Sequence, residues 1–278
     1  MLLIFYITNG FTHHAYSQCL EDQRTLLLEL KNDLIFESTL STKLVLWNQT
    51  QDCCSWYGVE CDGTGHVISL QLYQEGISGG IHNLSSLSGL RYLQKLNLAY
   101  NHFGGVQIPG GILNLKHLTH LTLSDAGFGG QVPIEVSLMR TLVSLDLSSF
   151  VSYYVLKIEN PNLKMLLQNL TELRELYLDG VNIPAKGREW CQAISSSLPE
   201  LRILSLLDCS LSGPLHPSLS KLHFLSVVQL DLNDILSPVP NFFANFSYLT
   251  TLSLSWCSLK GSFPAMIFQI PDTYPRES

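Results

Sequence analysis

Seven cysteines, at 19, 53, 54, 61, 191, 209 and 257, are the residues of this chain with the widest chemical range. Thiols ligate metals, attack electrophiles or oxidise to disulfides. Cys19, Cys53, Cys54 and Cys61 lie close together near the start. A four-thiolate zinc site favours Cys-x-x-Cys pairs; none occurs here, and adjacent Cys53-Cys54 is poor ligand geometry. Disulfides are the better reading, with all three pairings of four cysteines open. The second group with chemical potential is acidic: Asp146, Glu175, Asp179, Asp208 and Asp231. Paired carboxylates do acid–base work when a closed site desolvates them and tunes their pKa values. No Gly-x-Ser-x-Gly, phosphate loop or His-Glu-x-x-His accompanies them. His13-His14 lies in the N-terminal leader. The expectation is no enzyme, no cofactor and no metal, with the acids serving recognition.

The elements that position these residues follow from an internal repeat. Leu93-x-x-Leu96-x-Leu98-x-x-Asn101-x-Phe103-x-Gly105 recurs with variations from Val67, Leu93, Leu118, Leu142, Leu173, Leu201, Leu225 and Leu249, at spacings of 26, 25, 24, 31, 28, 24 and 24 residues. Leu-x-Leu alternation predicts a short strand in each copy, with the Leu pair inside and the residues between them on an open face. Pro109, Pro133, Pro240 and Pro264 then turn the chain away. One such unit cannot bury its own apolar stripe, so the copies must stack into a solenoid. The open face carries Asp146, Glu175, Tyr177, Asp179 and Asp231, with Asp208, Tyr73, Tyr100 and Trp256 beside them. Cys209 and Cys257 fall at the Asn101 position, two repeats apart. Strands ~4.8 Å apart put their Cα atoms ~10 Å apart, too far to bridge. Cys191, on the back of the fifth coil, is a possible partner for Cys209.

The 278 residues carry a net charge of −7 with no basic run, which excludes a phosphate-binding face for nucleic acid. No apolar stretch reaches the ~20 residues of a membrane span. Residues 1–17 read as a secretory signal peptide, and Asn48, Asn83, Asn169 and Asn245 as glycosylation sequons. Glu21-Asp22 ahead of Leu26, Leu27, Leu30 and Leu34 predicts a helix.

The repeat, with its Leu-x-Gly-x-Ile-Pro variants, resembles the plant-specific leucine-rich repeat. That resemblance implies an α/β solenoid: a parallel concave sheet, short strands and helical turns behind it, and a hydrogen-bonded Asn ladder. Here the Asn slot holds Glu75, Asn101, Ala126, Phe150, Val181, Cys209, Asn233 and Cys257, which predicts an irregular ladder. Cys53-Cys54-x-Trp56-x-Gly58-Val59-x-Cys61 resembles the N-terminal cap of plant extracellular leucine-rich-repeat proteins. By that resemblance Cys19 pairs with Cys53 and Cys54 with Cys61, in an oxidising compartment.

Thr171-Glu172-Leu173-Arg174-Glu175-Leu176-Tyr177-Leu178-Asp179-Gly180-Val181, Glu189-Trp190-Cys191-Gln192 and Asp208-Cys209 resemble the tomato-type Verticillium wilt resistance receptor-like proteins. The resemblance implies the N-terminal ectodomain part of a cell-surface immune receptor. Its expected ligand is a microbial, basic protein or peptide, and a full-length relative would act with receptor kinases. The domain reading is 1–17 leader, 18–62 cap, 63–264 eight repeats and 265–278 an incomplete repeat with a divergent tail. Repeat pattern is lost at Ile270-Pro271. This predicts no ninth coil, an apolar end exposed around Leu252, Leu254, Leu259 and Phe263, and a chain that ends before a membrane anchor. The competing reading is a secreted inhibitor of a microbial cell-wall-degrading enzyme, resembling the polygalacturonase-inhibiting leucine-rich-repeat proteins. A third is a non-functional receptor remnant.

Overall fold

The computed structural model describes residues 18–81, 85–150 and 153–268. The signal-peptide reading, the sequon at Asn83 and the tail beyond 268 lie outside them. The chain begins with helix α1 (Glu21–Asp33), whose Leu27 and Leu30 are buried. Strand β1 (Ile35–Phe36) follows, then a 3₁₀ turn at Leu44–Leu46 and β2 (Val59–Cys61). The first coil supplies β3 (Val67–Gln71), β4 (Ile77–Gly79), which pairs back on β1, and α2 (Ser85–Gly89).

Later coils repeat the plan: β5 (Lys95–Asn97) with α3 (Gly110–Leu113), β6 (His120–Thr122) with β7 (Gly130–Gln131), and β8 (Ser144–Asp146) with β9 (Leu156–Lys157) and α4 (Leu163–Leu167). Then come β10 (Glu175–Tyr177) with α5 (Gly187–Ser197), β11 (Ile203–Ser205), β12 (Val227–Gln229) and β13 (Thr251–Ser253). The main sheet has nine strands in the order β13-β12-β11-β10-β8-β6-β5-β3-β2 among the described residues. Only β2 is antiparallel.

Register explains why the repeats stack. Leu70, Leu96, Leu121, Leu145, Leu176, Leu204, Val228 and Leu252 stand opposite one another across successive strands. All but Leu252 are at most 1% exposed. Each such side chain contributes about 1.5–3 kcal/mol of burial, and none could be buried by its own coil. Leu252, Leu254 and Leu259 of the eighth coil are half-buried.

The inner ladder shows how the irregular slot is accommodated. Asn101 Nδ2 donates to the Leu72, Leu98 and Ala99 carbonyls, and Oδ1 accepts from the Glu75 and Ile77 amides. Asn233 repeats the pattern two dozen residues on from Cys209, whose amide it receives. At Cys209 and Cys257 the thiol takes over the donor role, to Leu178 O at 3.1 Å and Leu230 O at 2.9 Å. Ala126 and Val181 fill their slots with apolar side chains, at most 1% exposed. Phe150 corrects the expectation: it is 51% exposed, outside the slot, because the chain leaves the coil there into the extra residues of the fourth repeat. Its amide is held by Asp125 Oδ1 at 2.7 Å.

Glu75 was expected only as a departure from Asn; it joins the cap to the first coil. The fully buried carboxylate accepts from Ser41 Oγ at 2.6 Å, Thr42 Oγ1 at 3.1 Å, and the amides of Thr42, Lys43 and Leu44 at 3.0–3.2 Å. Those amides open the 3₁₀ turn, whose unpaired N–H groups favour an anion. Burial pushes the carboxyl up, but these hydrogen bonds outweigh it and hold Glu75 below the ordinary glutamate range.

Candidate functional site

The cap cysteines pair as Cys19–Cys53 and Cys54–Cys61, each with Cα atoms 5.5 Å apart. Asp52 Oδ1 fixes both ends of this knot, accepting from the amides of Cys19 and Cys54. Behind it Trp47 and Trp56 stack at 5.2 Å. The open possibility of a Cys191–Cys209 bridge resolves against pairing. Cys191, Cys209 and Cys257 are free and buried. Cys191 Sγ accepts from the His216 amide instead, and burial pushes its thiol up to about 12.

The open face of the sheet consists of in-register columns. Lys95, His120, Ser144, Glu175, Ile203 and Val227 occupy one. Asn97, Thr122, Asp146, Tyr177, Ser205 and Gln229 occupy the next. Tyr177 therefore lies beside Asp146 along the row and next to Glu175 and Asp179 along the chain. Burial raises the Tyr177 hydroxyl pKa first, and the charges of Glu175, Asp146 and Asp179 raise it further. His120 is lowered by burial and by Lys95, with Glu175 acting in the opposite sense.

The expected acids divide by what they already hold. Asp179 accepts from Ser205 Oγ at 2.7 and 2.9 Å and from the Leu207 amide at 2.8 Å. Burial is the main cause of its raised pKa, with Asp146 and Asp231 adding to it. Asp231, only 9% exposed, does the same two coils on, accepting from Ser253 Oγ and the Ser255 amide, both at 2.7 Å. Burial alone would raise Asp231; its hydrogen bonds outweigh burial and lower it. Each of these aspartates ties its strand to the next. Asp146 Oδ1 accepts from the Ser148 amide at 3.0 Å. Glu175 is half-buried, and its carboxylate has no hydrogen-bond partner among the described residues. Asp208 and Trp256 stand three residues beyond the ends of their strands, in left-handed turns at φ 52° and 59°. They belong to the rim of the sheet and not to its face; Trp256 is 84% exposed there. Tyr73, expected as an aromatic anchor, is covered by Lys43, whose Nζ sits 3.6 Å from the ring centre.

Ile203 and Val227 escaped the reading of polar residues. They are half-buried on the open face beside Glu175, in its own column. Their signal was positional: each precedes the first apolar residue of its strand pair, as Glu175 does. Among the sequons, Asn245 is exposed. Asn169 is half-buried, and its Nδ2 donates to Ser137 O at 3.1 Å. Asn48 sits in a local turn, with Oδ1 accepting from Thr50 Oγ1 at 2.7 Å.

Residues 20–62 match the family model described as leucine rich repeat N-terminal domain, and 248–270 the model described as Leucine Rich Repeat. Receptor-like protein 6 of Arabidopsis thaliana is 34% identical over 93% of this chain and 28% of its own length. Receptor-like protein EIX1 of Solanum lycopersicum is 31% identical over 92% of the chain and 25% of its own length. The chain thus spans about a quarter of the length of these curated relatives. Among solved structures, the Arabidopsis receptor kinase HAESA, in complex with the peptide hormone IDA and the co-receptor SERK1, superposes with a TM-score of 0.70. It is 24% identical, with 90% of this chain and 44% of that one covered, and this likeness speaks to the fold.

Proposed function

We propose that this chain belongs with the leucine-rich-repeat receptor-like proteins and is a ligand-recognition part of a plant cell-surface immune receptor of the Verticillium wilt resistance type. Residues 18–62 serve as its cap, 63–264 as its repeats, and it enters the secretory pathway. The ligand is a basic protein or peptide of microbial origin, met by the sheet face over coils four to eight. One observation carries this: the Glu175 carboxylate, with no hydrogen-bond partner among the described residues, adjoins Tyr177 and Asp146 on a continuous polar face that also offers Ile203 and Val227. Carboxylates there steer a cation and make association fall with salt. Tyr177 supplies the aromatic anchor, a residue type that carries interface energy. Asp208 and Trp256 extend the surface along the rim. Asp179 and Asp231 shape it by holding the neighbouring strand ends.

Immobilised secreted chain exposed to the culture filtrate of a vascular wilt pathogen tests this. A retained basic protein should be lost with Glu175→Lys, and weakened by about 2 kcal/mol with Tyr177→Ala. Retention that ignores both changes, or that rises with salt, would count against the sheet face. Asp179→Lys and Asp231→Lys are poor probes, because each also releases a strand tie.

A further inference from the structure

Beyond the sheet, where each coil turns away, one row of residues forms the rim. It runs from Gln74 in the first coil to Trp256 in the eighth, with φ between 48° and 74° at every position except that of the fourth coil. Backbone hydrogen bonds hold the row in register. The Asp208 amide donates to Asp231 O and the Leu232 amide to Ser255 O, both at 2.9 Å. Matching backbone at matching positions sends the side chains of Asp208, Leu232 and Trp256 off the rim in the same direction.

The left-handed region suits Gly and tolerates Asp or Asn, whereas a bulky side chain is strained there. Gly180 and Asp208 obey that rule. Leu232 and Trp256, each at φ 59°, break it in successive coils. Burial does not compensate, since Leu232 is 49% and Trp256 84% exposed. Neither backbone ease nor the core accounts for this pair. Tyr100, the other large residue of the row, stands between Gln74 and Asp125. Only coils seven and eight therefore set two apolar side chains together on the rim.

Asp208 supplies the charge beside them. Its carboxylate is exposed and has no hydrogen-bond or ion-pair partner among the described residues. Strands ~4.8 Å apart put Leu232 about 5 Å from both Asp208 and Trp256, and those two about 10 Å from each other. An extended peptide advances ~3.3 Å per residue, so positions two or three apart span about 7–10 Å.

We propose that this stretch of rim binds an extended peptide segment that carries Lys or Arg and, two or three residues away, a large apolar side chain. The cation meets Asp208, and the apolar group lies on Leu232 and Trp256. The inference rests on the reading of a basic ligand given above and adds the residue pattern that the rim selects.

A random peptide library displayed on phage and panned on the immobilised full chain tests it. Enriched sequences should hold the pairing. An enriched peptide without Trp, synthesised and titrated by calorimetry, then gives the affinities. Acrylamide quenching of the complex reports on Trp256 alone, because Trp47, Trp56 and Trp190 are at most 4% exposed, and bound peptide should shield it. Leu232→Asn and Trp256→Gly remove the apolar groups while suiting the left-handed turn. Both variants should melt no lower than the parent and bind at least about tenfold more weakly. Asp208→Gly should cost about tenfold at low salt and less at high salt. Tyr177→Ala, the change expected to weaken a ligand on the sheet face, should leave peptide affinity unchanged. The inference is overturned if no sequence is enriched, if enriched sequences lack the pairing, if bound peptide leaves Trp256 as quenchable as before, or if neither Leu232→Asn nor Trp256→Gly weakens binding. Lowered melts in both variants would show the pair to serve the fold, and would overturn it too. Peptides that respond to Tyr177→Ala and not to the rim variants would overturn it while upholding the sheet face.

Discussion

Glu75 gives the most demanding prediction, because one side chain closes the joint between cap and solenoid. Glu75→Ala removes the acceptor from two hydroxyls and three amides. Thr42 is exposed, and water replaces the carboxylate there. Leu44 is fully buried and Lys43 half-buried, so their amides stay unpaired. At about 1–3 kcal/mol for each stranded donor, the expected loss is about 3–5 kcal/mol. Glu75→Gln keeps one acceptor oxygen but turns an NH₂ towards donors, and should lose about 1–3 kcal/mol. Native-state hydrogen exchange reads this directly. Protection at Lys43 and Leu44 should fall by about two to four powers of ten in the alanine variant, against little change at Leu204 and Leu206. The pH dependence has a fixed sign. The folded carboxyl titrates below its ordinary value, so its stabilisation is complete above the ordinary glutamate range. It fades as pH falls through the lowered value, and Glu75→Gln should abolish that acid-side slope in cap protection. Unchanged protection at Lys43 and Leu44 in Glu75→Ala would refute the reasoning.

Three other outcomes are expected. Gly180 has φ +74°, and a Cβ there would collide with the Ser149 carbonyl oxygen, so Gly180→Ala should lower stability by more than about 1 kcal/mol in urea titration. Native protein should take up no alkylating reagent at Cys191, Cys209 or Cys257 at neutral pH, with all three labelled after unfolding in a mass-spectrometric count; labelling of Cys209 in the folded state would contradict its place in the ladder. Asn245 should carry a glycan in more molecules than Asn169, whose amide nitrogen is occupied by Ser137 O, and glycopeptide mapping that found the reverse order would show that bond to be absent when the glycan is added.

The spine was legible because its signal is periodic. One inward Leu per strand, or Val228 in the seventh copy, repeated in frame, leaves few ways to bury the row, and all eight parallel strands stand where Leu-x-Leu or Val228-x-Leu230 placed them. What single positions do was harder to read. Asp179, Asp231 and Glu175 look alike in sequence, yet two hold a neighbouring strand and one does not, since that depends on whether a Ser stands diagonally across in the next coil, opposite the residue two before the acid. Phe150 occupies the ladder slot by count alone; the extra residues after it let the chain leave early. Thiols are weak donors, and the role of Cys209 and Cys257 as donors appears only once the carbonyls of the preceding coil are in place.

The fourth repeat is 31 residues long, yet β8 and β10 still pair Ser144 with Glu175 without a slip. Length is thus absorbed on the outside of the turn, where Tyr153 is fully exposed, and the inner rows keep their spacing. A lineage carrying this architecture can gain or shed several codons around Tyr153, ahead of β9, while the inherited recognition surface stays aimed as before. Insertions and substitutions are then free to drift along separate axes, the first on the outer contour and the second on the sheet.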